Sequence, residues 1–192
     1  GGISSINHPN YKWAFDHTHL NKVKGLDLLE IFNGHPVTNV YGGPGKYSYD
    51  QIWDGILSEG SVVFGVATDD AHNYHDFVPG KSNPGRGWVV VRAVEFTQEA
   101  IVGALETGEF YASTGVSLAD LEATPEKIKV EIDPAPFQVY STKFIGKNGI
   151  VLLQTDGVSA EYSPSGEEGY VRTVTTSSGN TKAWTQPVFL PS

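Results

Sequence analysis

The chain has no cysteine and no methionine among its 192 residues. The first absence excludes disulfides, zinc–thiolate sites and cysteine nucleophiles, and with them any reading of the redox compartment. The second, with a chain that opens Gly1-Gly2, predicts a processed product, a cloned fragment or part of a longer protein. Basic residues are also scarce, 13 against 22 acidic, for a net charge of −9. A dedicated nucleic-acid groove needs a basic face, so no nucleic-acid partner is expected. A small anionic substrate stays open, because bound divalent cations invert the local sign of a site. No apolar run approaches the roughly 18 residues of a membrane span, and no signal-peptide pattern opens the chain. What remains, 39% hydrophobic and 18% charged, is the composition of a globular protein.

Two patterns divide the chain. Up to about residue 122, strands and helices alternate. "GISSINHP" reads as a strand ending at His8-Pro9, since proline cannot donate to a ladder. Residues 10–25 read as loop with a short helix. "LDLLEIFN" (26–33) and "SVVFGVAT" (61–68) are near-continuous apolar runs, the pattern of strands covered on both faces. Between them, "SYDQIWDGILSEG" carries a possible capping box, Ser48 and Gln51, and a terminating Gly60. "WVVVRA" (88–93) and "TQEAIVGALETG" (97–108) continue as strand and helix. This alternation predicts a parallel sheet with helices packed outside it. From Thr124 onward, six short strand-like runs with turn chemistry at Lys147-Asn148-Gly149 and Ser178-Gly179-Asn180 predict a small antiparallel sandwich. The boundary falls near Ala123-Thr124-Pro125, giving domains 1–123 and 124–192.

The chemistry-bearing residues gather at predicted strand ends. Asp70 and His72, spaced by two along an extended segment, fall on one side and can reach one cation, a hard carboxylate beside a borderline imidazole. The competing reading is an Asx-type turn with His72 in solvent. Asp69 faces the other way and reads either as a support behind the ligands or as a turn cap, while His75 and Asp76 read as solvated or substrate-facing. His8 ends the first strand, as a ligand or as a hydrogen-bonded histidine. Glu30, inside an apolar strand, needs a partner because a buried unpaired carboxylate is costly. Arg86, in "NPGRG", is a fork donor suited to a phosphate oxygen or else a surface arginine. "DHTH" (Asp16, His17, His19) has a metal-like spacing but no strand leading into it, and reads as solvated loop. No phosphate-binding G-x-x-x-x-G-K-[ST] and no G-x-S-x-G is present.

"INHPN" (6–10), "LLEIFNGHP" (28–36) and "GVATDDAH" (65–72), in this order, resemble the PHP superfamily of polymerase and histidinol phosphatase domains. "NPGRGWVVVRA" (83–93) and "GEFYASTGVSL" (108–118) resemble a bacterial subgroup that carries a C-terminal β-domain. The resemblance covers about residues 3–122. It implies an α/β fold, a partial (β/α)7 PHP-type distorted TIM barrel followed by the sandwich, with a site at the C-terminal ends of the strands. It implies His8, Asp70 and His72 as metal ligands, with Glu30 matching a strand carboxylate, and two or three divalent ions (Mn, Fe or Zn). The family's opening H-x-D-x-H motif does not precede His8, so the resemblance implies the C-terminal half of the domain. The N-terminal half is then expected as a partner, on a separate chain, lost by cleavage or lying outside this sequence, with this fragment alone inactive.

The function implied is metal-dependent hydrolysis of a phosphate ester of a small molecule, with Asp70, His72 and Arg86 at the reacting centre. The alternative is a non-catalytic scaffold whose sandwich binds glycan or protein through aromatics such as Tyr162, Tyr170 or Trp184. The turn-rich β-domain and the missing cysteines are compatible with an exported bacterial protein.

Overall fold

The computed structural model describes residues 2–191. Its first strand, β1 (Ser5–Ile6), stops short of Pro9. A 3₁₀ turn (Tyr11–Trp13) and a one-turn helix, α1 (His17–Leu20), lead to β2 (Leu28–Asn33). Helix α2 (Tyr49–Ser58) starts at the capping box read from the sequence: the Gln51 amide donates to Ser48 Oγ at 3.2 Å, and the Ser48 amide donates to Gln51 Oε1 at 2.8 Å. The chain returns as β3 (Phe64–Thr68), and the three strands form a parallel sheet in the order β1-β2-β3.

Past β3 the parallel pattern ends. β4 (Trp88–Val91) is followed by α3 (Gln98–Thr107), closed by Gly108 at φ +77°, and by β5 (Phe110–Ser113). β5 runs antiparallel to β4 and pairs on its other side with β12 (Lys182–Thr185). The remaining strands are β6 (Ser117–Ala123), β7 (Ile128–Asp133), β8 (Tyr140–Gly146), β9 (Ile150–Asp156), β10 (Ser159–Tyr162), β11 (Tyr170–Ser177) and β13 (Val188–Phe189). They complete a large antiparallel sheet, β4-β5-β12-β11-β8-β9 with β13 beside β11, and a smaller one, β10-β7-β6. Ile128, Val130 and Ile132 of β7 pack on Tyr140, Phe144, Val171 and Ala183 of the large sheet, which makes the two sheets a sandwich.

The expected partial (β/α)7 barrel, of TIM type, is therefore not formed. Only β1–β3 are parallel, the described helices are short, and the strand–helix–strand unit of β4, α3 and β5 closes on itself antiparallel and joins the sandwich. The apolar run "WVVV" satisfies either pairing, so its direction rests on the partner and not on its own residues.

The core explains the joining. Leu29 and Ile31 of β2 and Ile52, Trp53, Ile56 and Leu57 of α2 share one cluster with Ile145, Tyr170, Val174 and Trp184 of the large sheet. Burying each such side chain contributes about 1.5–3 kcal/mol. At its centre Arg172 of β11 is fully buried. It donates to both oxygens of Asp54 on α2 at 2.8 Å each, lies 3.2 Å from Asp50 Oδ1, and stacks 4.7 Å above the Trp53 ring. Tyr170 adds a hydrogen bond to Asp54 Oδ1 at 2.8 Å. Burial opposes the charge on Arg172, but Asp54 and then Asp50 outweigh it and raise its pKa. On the outer edge of β3, the Gln186 amide takes the place of a neighbouring strand, accepting from the Gly65 amide at 2.8 Å and donating to the Gly65 carbonyl at 2.9 Å. Among the described residues no helix is long and apolar enough to cross a membrane.

Candidate functional site

The C-terminal ends of β1, β2 and β3 lie side by side because the strands are parallel and adjacent, and they carry His8, Glu30 with Asn33, and Asp70. In a regular strand Glu30 and Asn33 would face opposite ways. The register of β2 against β3 slips between Glu30 and Phe32, a β-bulge, and the slip turns Asn33 onto the side of Glu30. Asn33 Nδ2 then donates to Glu30 Oε2 at 2.9 Å and to Asp70 Oδ2 at 3.3 Å. Its Oδ1 accepts from the His35 amide at 2.9 Å, which sets the course of the turn that follows.

Glu30 is buried and fully engaged. Oε2 accepts from the His8 amide and from Asn33, and Oε1 accepts from Thr68 Oγ1 at 2.7 Å. The partner that the sequence demanded for this carboxylate is thus a set of neutral donors. The nearby carboxylate, together with burial, raises the pKa of Tyr49, whose hydroxyl donates to the Thr38 carbonyl at 3.1 Å; burial is the larger cause.

Asp70 Oδ1 lies 3.1 Å from His72 Nε2, in a loop past β3 where Asp70 holds φ +47° and not the extended backbone expected from the spacing. The long loop after β3 is tied at its neck. The His72 amide donates to the Ser82 carbonyl at 3.0 Å and to Ser82 Oγ at 3.1 Å, and Asn83 Nδ2 donates to the Asn73 and Asp76 carbonyls at 2.9 Å each. Asp69 is the turn cap: its Oδ1 accepts from the Arg86 and Gly87 amides at 2.6 and 3.0 Å. Arg86 donates to the Gly34 carbonyl at 3.2 Å and to Asn83 Oδ1 at 3.1 Å, joining the loops after β2 and β3. That approach needs Gly34, where a Cβ would stand 2.7 Å from the Arg86 Cβ. His75 is exposed.

Two of the strand-end residues hold left-handed backbone, His8 at φ +33° and Asp70 at φ +47°. Non-glycine residues in this region are strained, and such strain collects at functional sites.

The expected metal-binding cluster of His8, Glu30, Asp70 and His72 is not assembled. Among the described residues no group of three or more His, Asp or Glu side chains is placed to hold a metal ion. The reason is local: Glu30 has its oxygens taken by three donors, and the His8 ring stands edge-on to Tyr11, with centroids 5.6 Å apart. Of these four, Asp70 and His72 have the spacing of two ligand atoms on one cation, each at about 2.1 Å from it.

"DHTH" is a helix start. Asp16 caps α1, accepting from the Thr18 amide at 3.0 Å and Thr18 Oγ1 at 2.6 Å, with His19 Nδ1 at 2.8 Å. The Thr18 hydroxyl, with His19, holds the Asp16 carboxyl down at about 2 against the cost of burial. His17 packs its ring 4.7 Å from that of Tyr47. The three aromatics considered for a sandwich platform sit otherwise: Tyr170 and Trp184 are buried, and Tyr162 stacks 5.5 Å from Phe144.

Sequence reasoning passed over Asn33, Thr68 and His35. The His35 ring meets that of His72 edge-to-face at 5.4 Å. The available signal was the "NGHP" turn directly after a strand carrying a buried acid. Comparisons with family models, with curated proteins and with solved structures gave no match.

Proposed function

We propose that this chain contributes to a divalent-metal-dependent phosphoester hydrolase, of the kind its motifs resemble. The observation that carries the reading is the convergence of Asp70 Oδ1 and His72 Nε2 to 3.1 Å at the ends of parallel strands, with Asp70 in a strained backbone conformation. When bound, a divalent ion supplies a water of lowered pKa and neutralises charge developing on the phosphoryl group. Asp70 and His72 would hold it from this chain. A divalent site takes four or more ligands, so the rest come from water, from the substrate and from side chains outside this chain, which makes a partner segment part of the proposal.

Within the chain, Asn33 orients Asp70 by donating to Oδ2, which leaves Oδ1 to pair with His72. Glu30 holds the turn after β1 through the His8 amide and so sets the place of the His8 ring. Arg86 holds the two flanking loops together and lies next to Asp69, one residue from the pair. In the reaction a water oxygen bonds to phosphorus, the ester P–O bond breaks, and the water proton leaves with the alcohol. The substrate is a phosphorylated small molecule.

The test is metal content and phosphomonoester hydrolysis of the whole protein, this chain together with its partner segment, as wild type beside Asp70→Asn. Loss of both supports the reading, and unchanged metal content with full turnover rejects it.

A further inference from the structure

Beside the candidate site the turn after β1 presents Tyr11, Lys12 and Trp13, with both rings over a third exposed. Lys12 and Trp13 hold consecutive left-handed conformations, φ +53° and +57°. Such a pair of non-glycine residues is costly and persists only where surrounding contacts fix it. Those contacts are present. Asn10 Nδ2 donates to the Asn39 carbonyl at 3.1 Å and to the Tyr47 carbonyl at 2.7 Å, and Asn39 Nδ2 donates back to the Asn10 carbonyl at 3.1 Å. Trp13 lies against Gly43, where an added Cβ would stand 3.2 Å from the ring. The two loops are zipped together, and the rings are held in place on the rim.

Each ring carries an ammonium group. Lys12 Nζ is 5.3 Å from the Tyr11 centroid, and Lys46 Nζ is 5.9 Å from the Trp13 centroid. Among the described residues neither lysine pairs with a carboxylate, although the chain carries net charge −9. The Tyr11 ring touches His8 edge-on, which joins this rim to the site. Two part-exposed rings, each beside an ammonium group that no carboxylate pairs with, match a ligand with a planar ring system and a phosphate. A base stacks on an aromatic side chain, and an ammonium meets the anion.

We propose that the Tyr11–Lys12–Trp13–Lys46 rim binds a nucleoside monophosphate, so that the substrate of the proposed hydrolase is a mononucleotide. The hydrolytic part rests on the reading above, and the binding part does not. Turnover would move a water oxygen to phosphorus and release the nucleoside alcohol with the water proton.

The experiment is calorimetric titration with adenosine monophosphate, glycerol phosphate and adenosine, on the wild type and on Asp70→Asn, which separates binding from turnover. Adenosine monophosphate should bind at least about tenfold more tightly than glycerol phosphate, the scale of one base stacked on an aromatic ring. Combined Tyr11→Ala and Trp13→Ala should remove that preference, and Tyr11→Phe, which keeps the ring, should retain it. Combined Lys12→Ala and Lys46→Ala should weaken both phosphates by a similar factor and leave adenosine unchanged. Equal binding of the two phosphates by the wild type, absence of binding, or a preference that survives loss of both rings overturns the proposal. A nucleotide preference retained by an Asp70→Asn protein with unchanged metal content and full turnover would uphold nucleotide recognition while removing the hydrolase reading.

Discussion

Asn33 and Glu30 meet at 2.9 Å although they stand three positions apart along one strand, because a bulge in β2 rotates one onto the face of the other. Asn33 thereby bridges two carboxylates, Glu30 and Asp70, with a single amide nitrogen. Asn33→Ala removes the bridge and leaves both acids facing each other without it. In the metal-loaded protein the expected loss is about 10–100-fold in metal affinity, the scale seen when a group supporting a ligand is removed. Metal titration with circular dichroism as a folding control reads this, and unchanged affinity would remove Asn33 from the site.

The buried pair of Arg172 and Asp54 ties α2 to β11. Arg172→Met keeps the aliphatic stem of the side chain but leaves Asp54 buried without its cation. The expected destabilisation is about 3–5 kcal/mol. Denaturant melts of Arg172→Met and of the double variant with Asp54→Leu check it. The double variant should recover much of the loss, because the deeply buried charge of Asp54 is gone and only the part-exposed Asp50 is left without its cation. Equal instability of both would show that volume, not charge, sets the effect.

Glu168 gives the stability a pH dependence. Burial alone would raise its pKa, but the Ser165 amide, the Tyr162 hydroxyl, the Ser165 hydroxyl and the Gly166 amide all donate to it and hold it at about 2, below the ordinary 4.5. A carboxylate lowered on folding stabilises fully above its unfolded value, and its contribution is lost as pH falls toward the folded one. Thermal melts of wild type and Glu168→Gln should therefore differ most above pH 4.5 and converge toward pH 2. A gap that stays constant across that window would show that the carboxylate's charge is not what matters.

Local chemistry made part of this legible in advance. The Ser48–Gln51 capping box and the Gly108 helix stop each depend on a few neighbouring residues. The pairing of β4 with β5 does not. "WVVV" is apolar throughout, and only its tertiary partner decides parallel from antiparallel, which is where the barrel expectation failed. The bulge at Ile31 was equally hidden, since "LEIFN" contains no glycine to mark it, and with it the role of Asn33. The fate of Glu30 was half visible: its burial demanded partners, but that these would be an amide, a hydroxyl and a backbone N–H was a matter of three-dimensional placement.

The central claim is that Asp70 and His72 together hold a divalent ion. It is tested most directly by titrating manganese into the wild type, Asp70→Asn, His72→Asn and the exposed control His75→Asn, following bound metal by electron paramagnetic resonance. Binding should weaken by at least about tenfold in each of the first two variants and stay unchanged in the control. Equal manganese affinity in all four proteins would contradict it.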